Sequence, residues 1–157
     1  MTELDVRIVK LEPMRVASVY GFGQGPEEIA WKKLEQWATS EGFLDDPEGH
    51  PIFGFNNPDP SPGSPNYGYE FWMAVGPEVE PEEGVRILGF SGGLYAVTRC
   101  NVGKDPYESI PRTWQQLVEW QENSRYRRGR HQWLEQHIEV EGMPDEFALD
   151  LHLPIAE

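Results

Sequence analysis

Two short segments of the chain each place a tryptophan and a glutamate two residues apart: Glu70 with Trp72, and Trp133 with Glu135. A carboxylate beside indole rings suits a hydrophobic cation, because the rings supply apolar area and cation–π attraction while the carboxylate compensates the charge. Two carboxylates in one aromatic pocket also permit general acid/base catalysis, with one ionised and the other protonated. The two pairs are therefore the candidate chemistry of this sequence.

Both pairs lie in segments that alternate apolar and polar residues, which predicts β-strands whose alternate side chains share a face. In the second segment, Leu134 and Ile138 mark one face, and His137 joins Trp133 and Glu135 on the other. We expect each tryptophan–glutamate pair to lie on the face opposite the core residues of its strand. An indole there needs a lid, a partner or a ligand, because exposing it to water is costly.

A second signature, tryptophan, leucine and tryptophan at three-residue spacing, occurs twice. Its members are Trp31, Leu34 and Trp37 in the first copy and Trp114, Leu117 and Trp120 in the second. This spacing is helical and predicts helices over 26–39 and 110–122, whose tryptophans pack in a core and do not contact a ligand. The repetition predicts a duplicated helix-plus-sheet unit.

The elements around the helices are expected to be strands, separated by turns rich in glycine and proline. Residues 43–66 hold many prolines and are predicted to form a long loop that folds over something. Residues 85–90 and 94–102 are predicted to pair as a hairpin. The predicted strands cover 6–22 with a break near Pro13, 51–55, 67–75, 85–90, 94–102, 131–138 and 147–153, the last closed by Pro154.

This order predicts an α+β fold, with tandem strand-helix-strand-strand modules and helices packed on one face of an antiparallel sheet. The length of 157 residues predicts a single domain, 1–157, with half-repeats of about 1–80 and 81–157. Cys100, the single cysteine, excludes an internal disulfide and is expected to be a buried, inert thiol.

The net charge of −14, from 13 basic and 27 acidic residues, disfavours binding to nucleic acid and to anionic membranes. Such a charge favours solubility, or it produces a field that attracts cationic ligands, and the charge alone does not decide between these two interpretations. Residues 1–6 do not form a signal peptide, so a cytoplasmic location is expected. No metal-ligand spacing and no cofactor motif is present, so neither a metal nor a cofactor is expected. The arginines at 125, 127, 128 and 130 are either a solvated loop or a docking patch.

Six segments, in order along the chain, resemble the GyrI-like small-molecule-binding domain, the effector-binding domain of AraC-type and MerR-type multidrug regulators, which also occurs as a stand-alone protein. They are residues 13–21, 67–70, 92–97, 114–120, 133–135 and 149–155. The resemblance implies tandem modules about a pseudo-two-fold axis, with a ligand cleft between the halves. It also implies that Glu135 meets cationic hydrophobic compounds; His137 stands where the family often has tyrosine.

The first expectation is therefore stand-alone binding of hydrophobic, cationic aromatic small molecules, with Glu135 as the main counter-charge and Glu70 as the secondary one. The walls of the site would be the aromatic residues Trp72, Trp133, Tyr20, Tyr95 and Phe53, with His137 beside them. One alternative, implied by stand-alone members of the family, is a hydrolase of electrophilic cyclopropane-bearing compounds that uses the same two glutamates. The other is an inhibitor of a protein partner, as in the gyrase-inhibiting branch of the family.

Overall fold

The computed structural model describes residues 4–43, 49–56, 66–101, 106–139 and 147–157, and within them it shows an α+β protein with two helices and nine strands. The chain divides into two compact units. We call Pro13–Ser91 the central unit, and Met1–Glu12 together with Gly92–Glu157 the flanking unit. In the described part of the chain, neither helix is long and apolar enough to cross a membrane.

The central unit consists of one helix on a four-stranded antiparallel sheet. Its elements are β2 (Met14–Gly23), α1 (Pro26–Glu41), β3 (Ile52–Asn56), β4 (Tyr67–Ala74) and β5 (Arg86–Phe90). The strands are ordered β3-β4-β2-β5. The predicted strands at 51–55, 67–75 and 85–90 are thereby confirmed to within one or two residues.

Helix α1 begins with Pro26 at its first position, where the missing N–H costs no hydrogen bond. It ends at Gly42, whose φ of 77° is left-handed and favours glycine. Its buried face, which includes Leu34 and Trp37, packs on Tyr69 and other apolar residues of β4. Each large side chain buried there stabilises the fold by about 1.5–3 kcal/mol.

The flanking unit repeats this plan. Its elements are β1 (Arg7–Leu11), β6 (Gly93–Asn101), α2 (Pro106–Glu122), β7 (Arg127–Arg128), β8 (Leu134–Glu139) and β9 (Phe147–Ala156). The strands are ordered β1-β6-β9-β8, and the short β7 also pairs with β9. Helix α2 packs over β6 and β9, where Leu117 is fully buried against Leu149, Leu151 and Leu153.

The two units correspond element by element, which confirms the tandem strand-helix-strand-strand modules. In the central unit β2 pairs with β4 on one side and with the edge strand β5 on the other, and in the flanking unit β6 pairs likewise with β9 and the edge strand β1, while the short β7 has no counterpart among the described residues of the central unit. Thus β2, α1, β3, β4 and β5 correspond to β6, α2, β8, β9 and β1. The compact units differ from halves of 1–80 and 81–157 because β1 pairs with β6, and β5 pairs with β2.

Three details of the sequence prediction were wrong. Residues 85–90 and 94–102 do not form a hairpin, because β5 pairs with β2 while β6 pairs with β1 and β9. The last strand continues past Pro154 to Ala156, because Pro154 still pairs with Tyr95 of β6. Two of the clustered arginines lie in β7, not in a loop. The predicted loop at 44–48 and 57–65 and most of the predicted turn at 139–145 lie outside the described residues.

Candidate functional site

The side chain of Glu70 lies on the face of the central sheet that does not carry α1, and it is only 3% exposed. Three donors converge on its Oε2 atom: Ser18 Oγ at 2.6 Å, Trp72 Nε1 at 2.7 Å and the Arg86 guanidinium at 3.4 Å. Hydrogen bonds of this kind offset the cost of burying a carboxylate. Glu70 is therefore a built-in part of the sheet, with Arg86 as its cationic partner.

The strand register explains this arrangement. Ser18 stands opposite Trp72 across β2 and β4, and Arg86 stands opposite Ser18 across β5 and β2. Tyr20, which is 36% exposed, stands opposite Glu70 on the same face. Opposed residues in antiparallel strands have Cβ atoms about 4.5–5.5 Å apart, so their side chains meet. Sequence analysis missed Ser18 and Arg86 because the pairing partner of a strand cannot be read from its own residues.

Aromatic side chains surround Trp72 on this face. Phe53, 2% exposed, lies opposite Trp72 in the register of β3 and β4. The rings of Phe55 and Phe90 lie with their centroids 4.8 Å and 5.4 Å from that of Trp72. The central unit thus brings four of the predicted site residues onto one face and adds two aromatic residues that the prediction missed.

The second predicted pair lies in the flanking unit, next to α2. Glu135 Oε2 accepts a hydrogen bond of 3.0 Å from Trp114 Nε1. The ring of Trp133 packs on that of Trp114 with centroids 5.3 Å apart and a tilt of 42°. Trp133 is 37% exposed and Glu135 is half-buried, so both are within reach of solvent. We call Trp114, Trp133 and Glu135 the acidic indole cluster.

Glu135 lies on the face opposite Leu134, the fully buried residue of β8, as the alternation predicted, but this face is the one that carries α2. Glu135 and His137 stand directly across from Leu151 and Leu149, which belong to the core beneath α2. Helix α2 packs over β6 and β9. Because the described part of the helix does not lie over β8, polar side chains on this face of β8 are tolerated. Trp114 packs against the core as predicted, and in addition its indole N–H donates to Glu135.

The imidazole of His137 shares the strand face of Glu135. Burial lowers the pKa of His137 to about 4, because the charged imidazolium is poorly solvated there. At neutral pH this residue is therefore uncharged. It is thus a polar, neutral residue at the position where the resemblance implied a tyrosine.

Tyr95 does not join the acidic indole cluster, because it lies on the other face of the flanking sheet. It is fully buried, and its hydroxyl donates a 2.6 Å hydrogen bond to the backbone carbonyl of Gln132. Its ring contacts those of His131 and His152 at centroid distances of 4.8 Å and 5.4 Å. Burial raises the pKa of the Tyr95 hydroxyl, so this group stays protonated. These contacts give Tyr95 a packing role.

The structural counterpart of Glu70 is Asp150, which sequence analysis missed. Asp150 is 4% exposed and is bound by the guanidinium groups of Arg7, at 3.0 Å, and Arg99. Burial alone would raise the pKa of Asp150, but the hydrogen bonds from the two arginines outweigh it and hold the pKa below the ordinary value. Arg7 on the edge strand β1 corresponds in register to Arg86 on β5. The duplicated feature is thus a buried carboxylate with an edge-strand arginine.

Several solved structures share this fold. The EcmrR C-terminal domain superposes with a TM-score of 0.72 at 15% identity, covering 99% of this chain and 99% of that chain. A hydrolase from Listeria innocua gives a TM-score of 0.64 at 11% identity, covering 99% and 94%. SAV2435 bound to tetraphenylphosphonium gives 0.54 at 10% identity, covering 98% and 94%. At these identities the likeness concerns the fold alone.

Comparison with curated proteins gives no significant match. The model of the family described as GyrI-like small molecule binding domain matches residues 4–156, almost the whole chain. This agrees with the tandem modules of the fold and with the six segments singled out in the sequence. The chain therefore belongs to the GyrI-like small-molecule-binding domain family.

Proposed function

We propose that this protein binds hydrophobic organic cations at the acidic indole cluster, with Glu135 as the counter-charge. The observation that carries the proposal is the carboxylate of Glu135 held beside two tilted indoles, of which Trp133 is 37% exposed. The bond from Trp114 Nε1 orients this carboxylate beside the two rings. A cation that meets this group gains charge compensation, and its apolar groups gain area against the rings.

Two further observations support a cation as the ligand. The net charge of −14 produces a field that raises the local concentration of cations and speeds their association. The face of Trp133 already accepts a cationic group, because the guanidinium carbon of Arg128 lies 5.2 Å from the ring centroid. The relative SAV2435 has been solved with tetraphenylphosphonium, a cation of the proposed class.

Glu70 receives a supporting role in this proposal. Its carboxylate is almost fully buried and is paired with Arg86, so a ligand cation would have to displace an existing ion pair. Displacing a partner from a buried charge is costly. We assign charge recognition to the half-buried Glu135, which lies beside the 37% exposed Trp133, and to Glu70 the positioning of Trp72 through their 2.7 Å hydrogen bond.

The test compares ions of nearly equal size and shape but opposite charge. Isothermal titration calorimetry should show binding of tetraphenylphosphonium and much weaker binding of tetraphenylborate. Glu135→Gln should weaken tetraphenylphosphonium binding about tenfold, since a charge contact at a partly exposed site contributes roughly 1–2 kcal/mol. The matched control is Glu119→Gln, which removes the same charge from an exposed position of α2. Equal affinities in both variants would refute the role of Glu135.

A hydrolase is the second candidate. It is favoured by the hydrogen bond of 2.6 Å between Ser18 Oγ and Glu70, which joins a hydroxyl to a carboxylate in a buried aromatic setting. A solved hydrolase from Listeria innocua has the same fold. In this alternative Glu70 acts as the general base that activates a water molecule. Turnover of a cyclopropane-bearing electrophile, lost in Glu70→Gln, would support it over simple binding. A protein partner stays a prediction.

A further inference from the structure

The side chain of Arg128 occupies the position where a ligand cation would stack on Trp133. Its guanidinium carbon lies 5.2 Å from the centroid of the indole ring, within the range of a cation–π contact. Trp133 is 37% exposed, so its ring is partly open to solvent beside this contact. A cation that reaches the acidic indole cluster therefore meets an arginine already in place.

Hydrogen bonds and strand pairing hold the guanidinium of Arg128 in this position. Arg128 Nε donates a hydrogen bond of 2.9 Å to Gln121 Oε1. The amide of Gln121 is only 7% exposed, and its Nε2 donates to the backbone carbonyl of Tyr126 at 2.8 Å. The backbone of Arg128 is held by pairing of β7 with Ile155 of β9. These contacts restrain a side chain that would otherwise sample many rotamers.

The neighbouring Arg127 shows that charge alone does not explain the contact. Arg127 is exposed, and its guanidinium bonds to the backbone oxygen of Glu157 at 2.7 Å. The two arginines are adjacent in β7, so their side chains point to opposite faces. Only Arg128 reaches the indole. Arg127 is thus a natural control with the same charge at almost the same place.

Resting on the proposed function, we propose that Arg128 is an internal cation that competes with the ligand for Trp133 and thereby sets which cations bind. A tethered group acts at an effective concentration in the millimolar range or above. Small cations do not displace the Arg128 guanidinium, because their cation–π attraction to the indole is little stronger than that of the guanidinium. A large aromatic cation displaces it by adding apolar contact area and by pairing with Glu135. Arg128 is accordingly a specificity-determining residue for bulky cations.

The experiment is a calorimetric titration of the wild-type chain and its variants with tetraphenylphosphonium and with tetramethylammonium. Arg128→Ala should bind tetraphenylphosphonium about three- to tenfold more tightly, because both the competing stack and a nearby like charge are removed. Its affinity for tetramethylammonium should rise at least as much. Arg127→Ala should stay within about twofold of the wild type for both ions. Arg128→Lys, which keeps the charge without the planar stack, should lie between the two alanine variants.

A second comparison isolates the role of the ring. In a Trp133→Ala background, Arg128→Ala should gain no more affinity than Arg127→Ala, because the contested face is gone. Wild-type binding that is unchanged or weakened by Arg128→Ala would overturn the competition, while the proposed function would stand. An equal gain in Arg127→Ala would also overturn it, since the effect would be general charge. If neither the wild type nor Arg128→Ala binds the ion while circular dichroism shows both folded, competition and proposed function both fail.

Discussion

Replacing Asp150 with asparagine tests how much the buried ion pair of the flanking unit stabilises the fold. The substitution keeps the shape of the side chain and removes its charge. Asp150 is 4% exposed and accepts hydrogen bonds from Arg7 at 3.0 Å and from Arg99, whose second nitrogen lies at 3.3 Å. The variant loses these charge-assisted bonds and leaves two arginines without their carboxylate.

The expected loss in the free energy of unfolding is about 2 kcal/mol at pH 7. Removing one partner of a fully buried pair costs roughly 3–5 kcal/mol, mainly because the other charge is stranded. Here the side chains of Arg7 and Arg99 are 54% and 48% exposed, so water and salt screen them after the change. The expected loss in the free energy of unfolding is therefore smaller than for a fully buried pair.

The sign of the pH dependence follows from the lowered pKa of Asp150. Burial acts to raise this pKa, but the hydrogen bonds from Arg99 and Arg7 bring it below the ordinary value of 3.8. A carboxyl group of this kind contributes its full stabilisation above its unfolded pKa and loses it as the pH falls through the lower folded pKa. The difference between wild type and Asp150→Asn should thus be largest at neutral pH and shrink below pH 3.8.

Urea unfolding followed by tryptophan fluorescence measures this difference at each pH. Glu119→Gln, with the same loss of charge at an exposed position, should change the free energy of unfolding by less than about 0.5 kcal/mol. The reasoning would be refuted if Asp150→Asn were as stable as this control at pH 7. A difference that widens as the pH falls would refute the linkage argument.

Three further substitutions give sharp expectations. Tyr95→Phe should cost about 1 kcal/mol in thermal unfolding, because the backbone carbonyl of Gln132 loses its donor, and should leave tetraphenylphosphonium affinity unchanged. Gly92→Ala should lower the free energy of unfolding in urea by about 1–3 kcal/mol, which is more than Gly84→Ala. Both glycines have a positive φ, but only at Gly92 would the added Cβ overlap a backbone oxygen, that of Leu11. His137→Gln should flatten the decline in stability as the pH falls from 6.5 to about 4, a window in which the unfolded imidazole binds a proton and the folded one does not.

Most of the fold could be predicted because its signals are local. Pro26 and Gly42 bracket α1 in the sequence, and the structure places the helix at Pro26–Glu41. Alternation likewise located β4 to within one residue and β8 to within three residues of their observed bounds. The hairpin at 85–102 was wrong because sequence neighbours usually pair, whereas here the chain passes from one unit to the other at Ser91 and Gly92. Non-local pairing leaves no trace in either strand alone.

The candidate site was predictable in its residue types and less so in its geometry. Alternation correctly grouped Trp133 with Glu135, but period two does not say which face meets the helix. The partners of the carboxylates, Arg86 for Glu70 and Trp114 for Glu135, come from other elements and become visible only with the register. Whether the predicted residues bind a ligand stays a prediction that the titrations above address.

The duplication itself argues that the two units have different tasks. Matching Phe71 of β4 with Leu151 of β9 makes Gly54 the counterpart of Glu135, because each stands opposite one of these residues. A side chain at Gly54 would overlap the ring of Tyr69, so the central unit has no room for an acidic group there.

The helical tryptophans diverge in the same way. Trp31 packs edge-on against Phe71 in the core of the central unit, with centroids 5.6 Å apart, whereas its counterpart Trp114 turns its N–H toward Glu135. In the flanking unit, Glu135 stands where the central unit has Gly54, and Leu149 stands where it has Tyr69. These two differences place a carboxylate beside an indole in the flanking unit, which is why the proposed ligand recognition is assigned to that unit.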